Sequence, residues 1–267
     1  MSWLREPLLS KPAPNWSHDL PGPNEAPFFS QSTSVPLRSP NHVDDIYLEL
    51  SRATLRKRGV SLWMSIVLAP FVLVSPLLFI ETLYSGDEFT LILILGMVLA
   101  FVAPLWIVVY SWRMDTAAPR DEPIRFNRAR RKVYVYRFYH NSRHPFGRAG
   151  WFIRAEAYEW DNLRAEACSI YGAMGAGGLI EVVSLAVVEP GTTKVIDRFH
   201  FAHGGLEAKM CWAVAQRYMQ QGAQHLPEFD YPARDWNNED VTFNLARYLA
   251  PKVQWPEAMD RESRTAP

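Results

Sequence analysis

A chain of 267 residues balances 28 Lys and Arg against 28 Asp and Glu. That neutrality offers no global field for a polyanion such as nucleic acid. Its two cysteines, Cys168 and Cys211, are too far apart for a CxxC zinc ribbon or redox pair, and two free thiols are expected. The charge is uneven locally. Residues 113–154 hold eleven Lys or Arg against three acids, whereas residues 155–267 hold ten bases against sixteen acids.

In chain order, residues 1–42 contain eight prolines among Ser, Asn and Gly, and no apolar core of a signal peptide. This composition predicts a disordered Pro-rich tail, or one extended over other surfaces. The juxtamembrane segment 43–58 contains VDDIYLELSRATLRKR. It reads either as a short helix capped by Asp44 or Asp45, or as a strand in which Ile46, Leu48 and Leu50 alternate.

Residues 59–112 read as a transmembrane helical hairpin. Gly59–Ile80 and Phe89–Trp112 are runs of 22 and 24 residues without a charge. At about 1.5 Å per residue each exceeds a hydrocarbon core of about 30 Å. The connection ETLYSGDE carries three acids and no base. Arg52, Arg56, Lys57 and Arg58 precede the first run, and Arg113, Arg120, Arg125 and Arg128 follow the second. The positive-inside rule then puts both termini in the cytoplasm. Neither run has an interior ionisable residue, which suggests an anchor and not a conduit. Gly96 and Ala100 give one small-xxx-small spacing, so self-association of the spans stays open.

From residue 113 the period changes. PIRFN and KVYVYRF read as strands around a polar RARR turn. FIRAEAYEW and DNLRAEACSIYG continue the sheet. LIEVVSLAVVE and KVIDRFHFAH form a hairpin across PGTT. LEAKMCWAVAQRYMQQG is helical, with Leu206, Met210, Ala213 and Val214 on one face and Gly222 closing it. Asn237–Pro251 predicts a second, shorter helix. The tail, 251–267, is expected to pack loosely. The fold class is therefore α+β: a two-helix hairpin plus a cytosolic, mainly antiparallel β domain over 113–250, capped by a C-terminal helix. Strands followed by a closing helix are the pattern of a pleckstrin-homology-like domain.

The segments DIYLELSRATLRKRG, PIRFNRARRKVYVYRF, YEWDNLRAE, CWAVAQRYMQQG and HLPE, with the hairpin pair, cover residues 43 to about 230. On these, the chain resembles a bacterial family of two-span membrane proteins of uncharacterised function, whose members occur in gene clusters of type VI secretion systems. The resemblance implies residence in the inner membrane. It also implies a role in immunity against a toxin or as a secretion accessory. It carries no catalytic residues.

Motifs for chemistry are sparse. GAMGAGGLI lacks the Lys-Ser or Lys-Thr of a phosphate loop and leads into a strand, so it reads as a turn. His140/His144 and His200/His203 have ligand-like spacing but no HExxH context. There is no GxSxG. No metal or cofactor is expected, and the protein is read as non-enzymatic. Arg125, Arg128, Arg130, Arg131 and Lys132 are the candidate site. Their run follows a membrane exit, where anionic headgroups attract each base by about 1 kcal/mol. Lipid or a protein partner, such as a cognate toxin, is preferred over nucleic acid. The alternatives to a binding protein are a lipid-sensing scaffold and a component of a membrane enzyme or transporter.

Overall fold

The computed structural model describes residues 6–28, 39–52, 58–84, 91–171, 178–238 and 243–267. The strands are β1 (Trp16–Asp19), β2 (His42–Val43), β3 (Tyr47–Ser51), β4 (Pro123–Asn127), β5 (Lys132–Tyr139), β6 (Phe152–Glu159), β7 (Leu163–Tyr171), β8 (Leu179–Val188) and β9 (Val195–His203). The helices are α1 (Val60–Tyr84), α2 (Leu91–Thr116), α3 (Leu206–Gln221), α4 (Leu245–Leu249) and α5 (Glu257–Arg264). One antiparallel sheet has the order β2-β3-β4-β5-β6 and the other β1-β7-β8-β9. A single 3-10 turn, Trp160–Asn162, carries the chain from β6 into β7 and so from sheet to sheet.

The register of β3 and β4 runs from Tyr47↔Asn127 to Ser51↔Pro123. These neighbours pair across the whole of α1 and α2. The helical hairpin is thus inserted between two adjacent strands. The reading of 43–58 as helix or strand resolves to strand for its middle part; residues 53–57, with Arg56 and Lys57, lie outside the described residues.

Alternation builds the core. Ile124 and Phe126 of β4 and Val133 and Val135 of β5 face inward and are fully buried. Trp160, at the turn between the sheets, packs on Trp212 of α3 with ring centroids 5.2 Å apart, and edge-on against Phe126. Helix α3 closes the sheets as expected and ends at Gly222, whose φ of 93° suits glycine. The PGTT turn forms, with Gly191 at φ 71°.

Residues 6–28 resolve the choice between a disordered Pro-rich tail and one extended over other surfaces in favour of the second: they lie across the second sheet, where β1 pairs with β7, and Leu9, Ala13 and Leu20 are buried. The prolines serve as acceptors: Trp212 Nε1 donates to the Pro21 carbonyl at 2.9 Å, and Gln220 Nε2 to that of Pro23 at 3.0 Å. Two other segments depart from the expectation. The helix expected over Asn237–Pro251 is confined to Leu245–Leu249 among the described residues. Asp235 takes the amides of Asn237 and Asn238 into a turn, and Asn244 supplies the cap. The tail expected to pack loosely forms α5 on the outer face of β4 and β5, with Ser263 fully buried. The glycine cluster 172–177 lies outside the described residues.

Candidate functional site at the base of the helical hairpin

Each of the five basic residues can be followed to its place. Arg125 points to the outer face of β4 and is only 2% exposed. Its guanidinium contacts Glu49 and donates to Asp260 at 2.6 Å and Ser263 at 2.8 Å, with Trp255 stacked 4.4 Å away. Arg130 donates to the carbonyls of Thr265 and Ala266 at 2.9 and 2.8 Å. Arg131 bridges Asp161 and Asn24 and holds the Asp161 carboxyl below its usual pKa. Lys132 donates to Glu262 at 2.9 Å and lowers that carboxyl likewise. Arg128 is exposed, beside Gly222. Four of the five therefore hold the C-terminal segment or the sheet-crossing turn.

Their position also differs from the sequence reading. The helices join the strand pair at Ser51 and Pro123, and the basic turn follows Asn127 at the other end. Four steps of about 3.4 Å put the turn about 14 Å further from the helices. That exceeds a screening length of about 8–10 Å in physiological salt.

What lies at the base of the hairpin is a set of reciprocal caps. Asp115, in the last turn of α2, accepts the Leu62 amide of α1 at 2.7 Å and is 7% exposed. Arg58, just before α1, donates to the carbonyls of Pro119, Asp115 and Ala118 at the end of α2. A carboxylate at a helix start and a cation at a helix end both suit the helix dipole. Asn244, the cap of α4, donates to the Arg58 carbonyl at 3.1 Å. Deeper in the sheet, Arg52 donates to the carbonyls of Glu122, His200 and Tyr136 at 3.1, 2.7 and 2.6 Å. Burial pulls its guanidinium pKa down, with Glu122 opposing. Arg52 and Arg58 entered the sequence reading only as flanking charge; Asp115 only as a minority acid.

Beside α2, the loop between β5 and β6 folds onto the helix. Arg113 donates to the carbonyls of Pro145 and Gly147 and stacks 4.2 Å over Trp151. His140 lies against Tyr110 at 6.2 Å, with its imidazole pKa lowered by burial. His200 and His203 touch at 3.8 Å between ring centroids; burial chiefly, then His203 and Arg52, pull His200 down to about 3. Among the described residues no group of three His, Cys, Asp or Glu could share a metal ion.

Two further polar clusters stand apart. Arg137 contacts Glu156 at 2.8 Å and Asp197 at 2.5 Å, and the Tyr158 hydroxyl lies within hydrogen-bond distance of both carboxylates, with one proton to donate between them. These bonds join β5 and β6 to β9, so the cluster clamps one sheet to the other. A cavity of about 530 Å³ lies between β3, β4 and the C-terminal segment. On its wall, buried Asp121 accepts from Ser51 and Asn41, each at 2.7 Å, and burial raises its carboxyl pKa.

A family model described as a family of unknown function, DUF6708, matches residues 101–267. No curated protein and no solved structure matches the chain.

Proposed function

The chain belongs to the DUF6708 family, and we propose that it is a membrane-anchored binding protein. Its two helices cross a bacterial inner membrane and hold a pleckstrin-homology-like domain at the cytosolic face. The observation that carries this reading is the insertion of α1 and α2 between the paired strands β3 and β4. The helices are 25 and 26 residues long, enough to cross, and large apolar side chains such as Leu73, Ile92 and Leu95 are 58–82% exposed along them. Such a surface is untenable in water and ordinary in lipid. Arg58 and Asp115 tie the bases of the two helices to each other, and Arg52 ties the end of β3 into the sheets, which supports close coupling of the domain to the helices. The two antiparallel sheets closed by α3 support the pleckstrin-homology-like description.

The partner in this reading is a protein met at the inner face of the membrane. Following the resemblance to proteins of type VI secretion clusters, it is a cognate toxin or an accessory component, which the protein engages without catalysis. Co-purification from solubilised membranes tests it. Capture of the effector encoded by a neighbouring gene, with sensitivity to that effector on deletion, supports the reading. No capture, with deleted cells still resistant, overturns it.

A further inference from the structure

The loop of residues 140–151, HNSRHPFGRAGW, contains four aromatic or imidazole rings besides two arginines, and no acid. It does not extend into solvent away from the helices. Phe146 lies edge-on to Trp106 of α2 with centroids 5.9 Å apart. Trp106 stands six residues before Trp112, the last residue of the uncharged run. At about 1.5 Å per residue that is about 9 Å into the apolar stretch. Phe146 nevertheless remains 57% exposed, and Trp106 38%. Its outward surface is thus continuous with the exposed apolar surface of the helix.

The geometry points to this loop as a third, non-spanning contact with the bilayer. Phe146 seats at the boundary between acyl chains and headgroups, and the exposed Arg143 and Arg148 bind the phosphates of anionic lipids. The inference rests on the reading that α1 and α2 span a membrane. Backbone polar groups are what usually keep a loop out of that zone. Here the carbonyls of Pro145 and Gly147 are taken by Arg113, and that of His144 by the Trp151 indole at 3.2 Å. The His144 amide donates to the Asn141 carbonyl, the Arg143 amide to the Asn141 side chain, and the Trp151 amide to the Arg148 carbonyl. A loop so closed on itself can present one aromatic tip and two cations to an interface, the depth of about 5–10 Å at which interfacial elements settle. The function is to fix the tilt of the β domain against the membrane, which a hairpin alone leaves to rotate.

The test uses the full chain in lipid nanodiscs containing phosphatidylglycerol, with Cys168→Ala and Cys211→Ala. A polarity-sensitive maleimide dye is placed at Phe146→Cys, at Thr192→Cys on the exposed β8–β9 turn, and at Val98→Cys in α2. The expected result is that the dye at 146 is blue-shifted relative to 192, quenched by shallow nitroxide lipid and shielded from iodide. Adding Arg143→Glu and Arg148→Glu should restore iodide quenching at 146. Iodide quenching at 146 equal to that at 192, or depth unmoved by charge reversal, overturns the inference. The dye at 98 keeps the two readings apart: quenching there by deep nitroxide lipid preserves the spanning reading even if the loop fails.

Discussion

Replacing Arg125 by methionine separates a structural role from a lipid-binding one. The side chain is 3% exposed and contacts Glu49 and Asp260, whose side chains are 14% and 35% exposed. Methionine keeps much of the volume over Trp255 but leaves Glu49 without its cation, while Asp260 keeps Arg264 at 3.1 Å. Removing one partner of a buried pair costs about 3–5 kcal/mol. Asp260 can rehydrate, so the lower end, about 3 kcal/mol, is expected. For a domain of this size, at about 2–4 °C per kcal/mol, the melting temperature should fall by about 6–12 °C. Adding Glu49→Gln should recover part of the loss, because the residual buried charge disappears. Arg128→Met, at an exposed position, should stay within about 0.5 kcal/mol of the parent. The assay is thermal unfolding of the full chain in detergent followed by tryptophan fluorescence, alongside flotation with anionic vesicles. An Arg125→Met protein that melts within about 1 °C of the parent yet loses vesicle association would refute the buried-pair account.

Other outcomes follow from the same structure. Asp115→Ala removes the acceptor for the Leu62 amide. It should destabilise the hairpin base by about 1–2 kcal/mol, with Asp115→Asn closer to the parent, in the same melting assay. His200 titrates at about 3 in the folded chain against 6.5 ordinarily, so the unfolded chain binds its proton first as pH falls. Its contribution to stability is full above pH 6.5 and is lost toward pH 3, by about 1.4 kcal/mol per unit; His200→Phe should flatten that part of the profile in denaturant titrations at pH 7 and 5. Gly150 has φ +80° and its added Cβ would meet Asn141 at 2.9 Å. Gly150→Ala should therefore loosen the loop, seen as faster amide exchange at His144 and Trp151. Deleting residues 1–26 strips Trp212, Gln216 and Gln220 of their carbonyl acceptors. It should speed exchange across α3 by the loss of about 1 kcal/mol per bond; unchanged exchange would show that the segment does not brace the helix.

The strands β4 to β9 and helix α3 were legible because their signals are local. Val182, Val183 and Leu185 sit between turn residues, Pro190 and Gly191 mark a hairpin, and Gly222 stops a helix. The insertion was not. Ile46, Leu48 and Leu50 announce a strand, yet nothing in their order says that Leu48 pairs with Phe126 across the two long helices. The basic run misled for a related reason. In β4, Arg125 alternates with the core residues Ile124 and Phe126, so a two-residue period assigns it to water. That face is covered by Trp255 and by Asp260 and Ser263 of α5, more than a hundred residues later. The acids Asp260 and Glu262 in the tail were the available sign, since they complement Arg125 and Lys132. The Pro-rich segment hid its order because prolines donate no backbone hydrogen bond; here they accept. Leu9 and Leu20 were its apolar anchors.

In the proposed function α1 and α2 carry the chain across the membrane and back, leaving the β domain on the cytosolic side. Labelling of single cysteines with a membrane-impermeant maleimide in intact cells tests it most directly, again with Cys168 and Cys211 replaced. Tyr84→Cys, at the exposed end of α1, should label from outside, and Thr192→Cys only after the inner membrane is opened. Thr192→Cys labelled in intact cells, or Tyr84→Cys protected until lysis, would contradict the account.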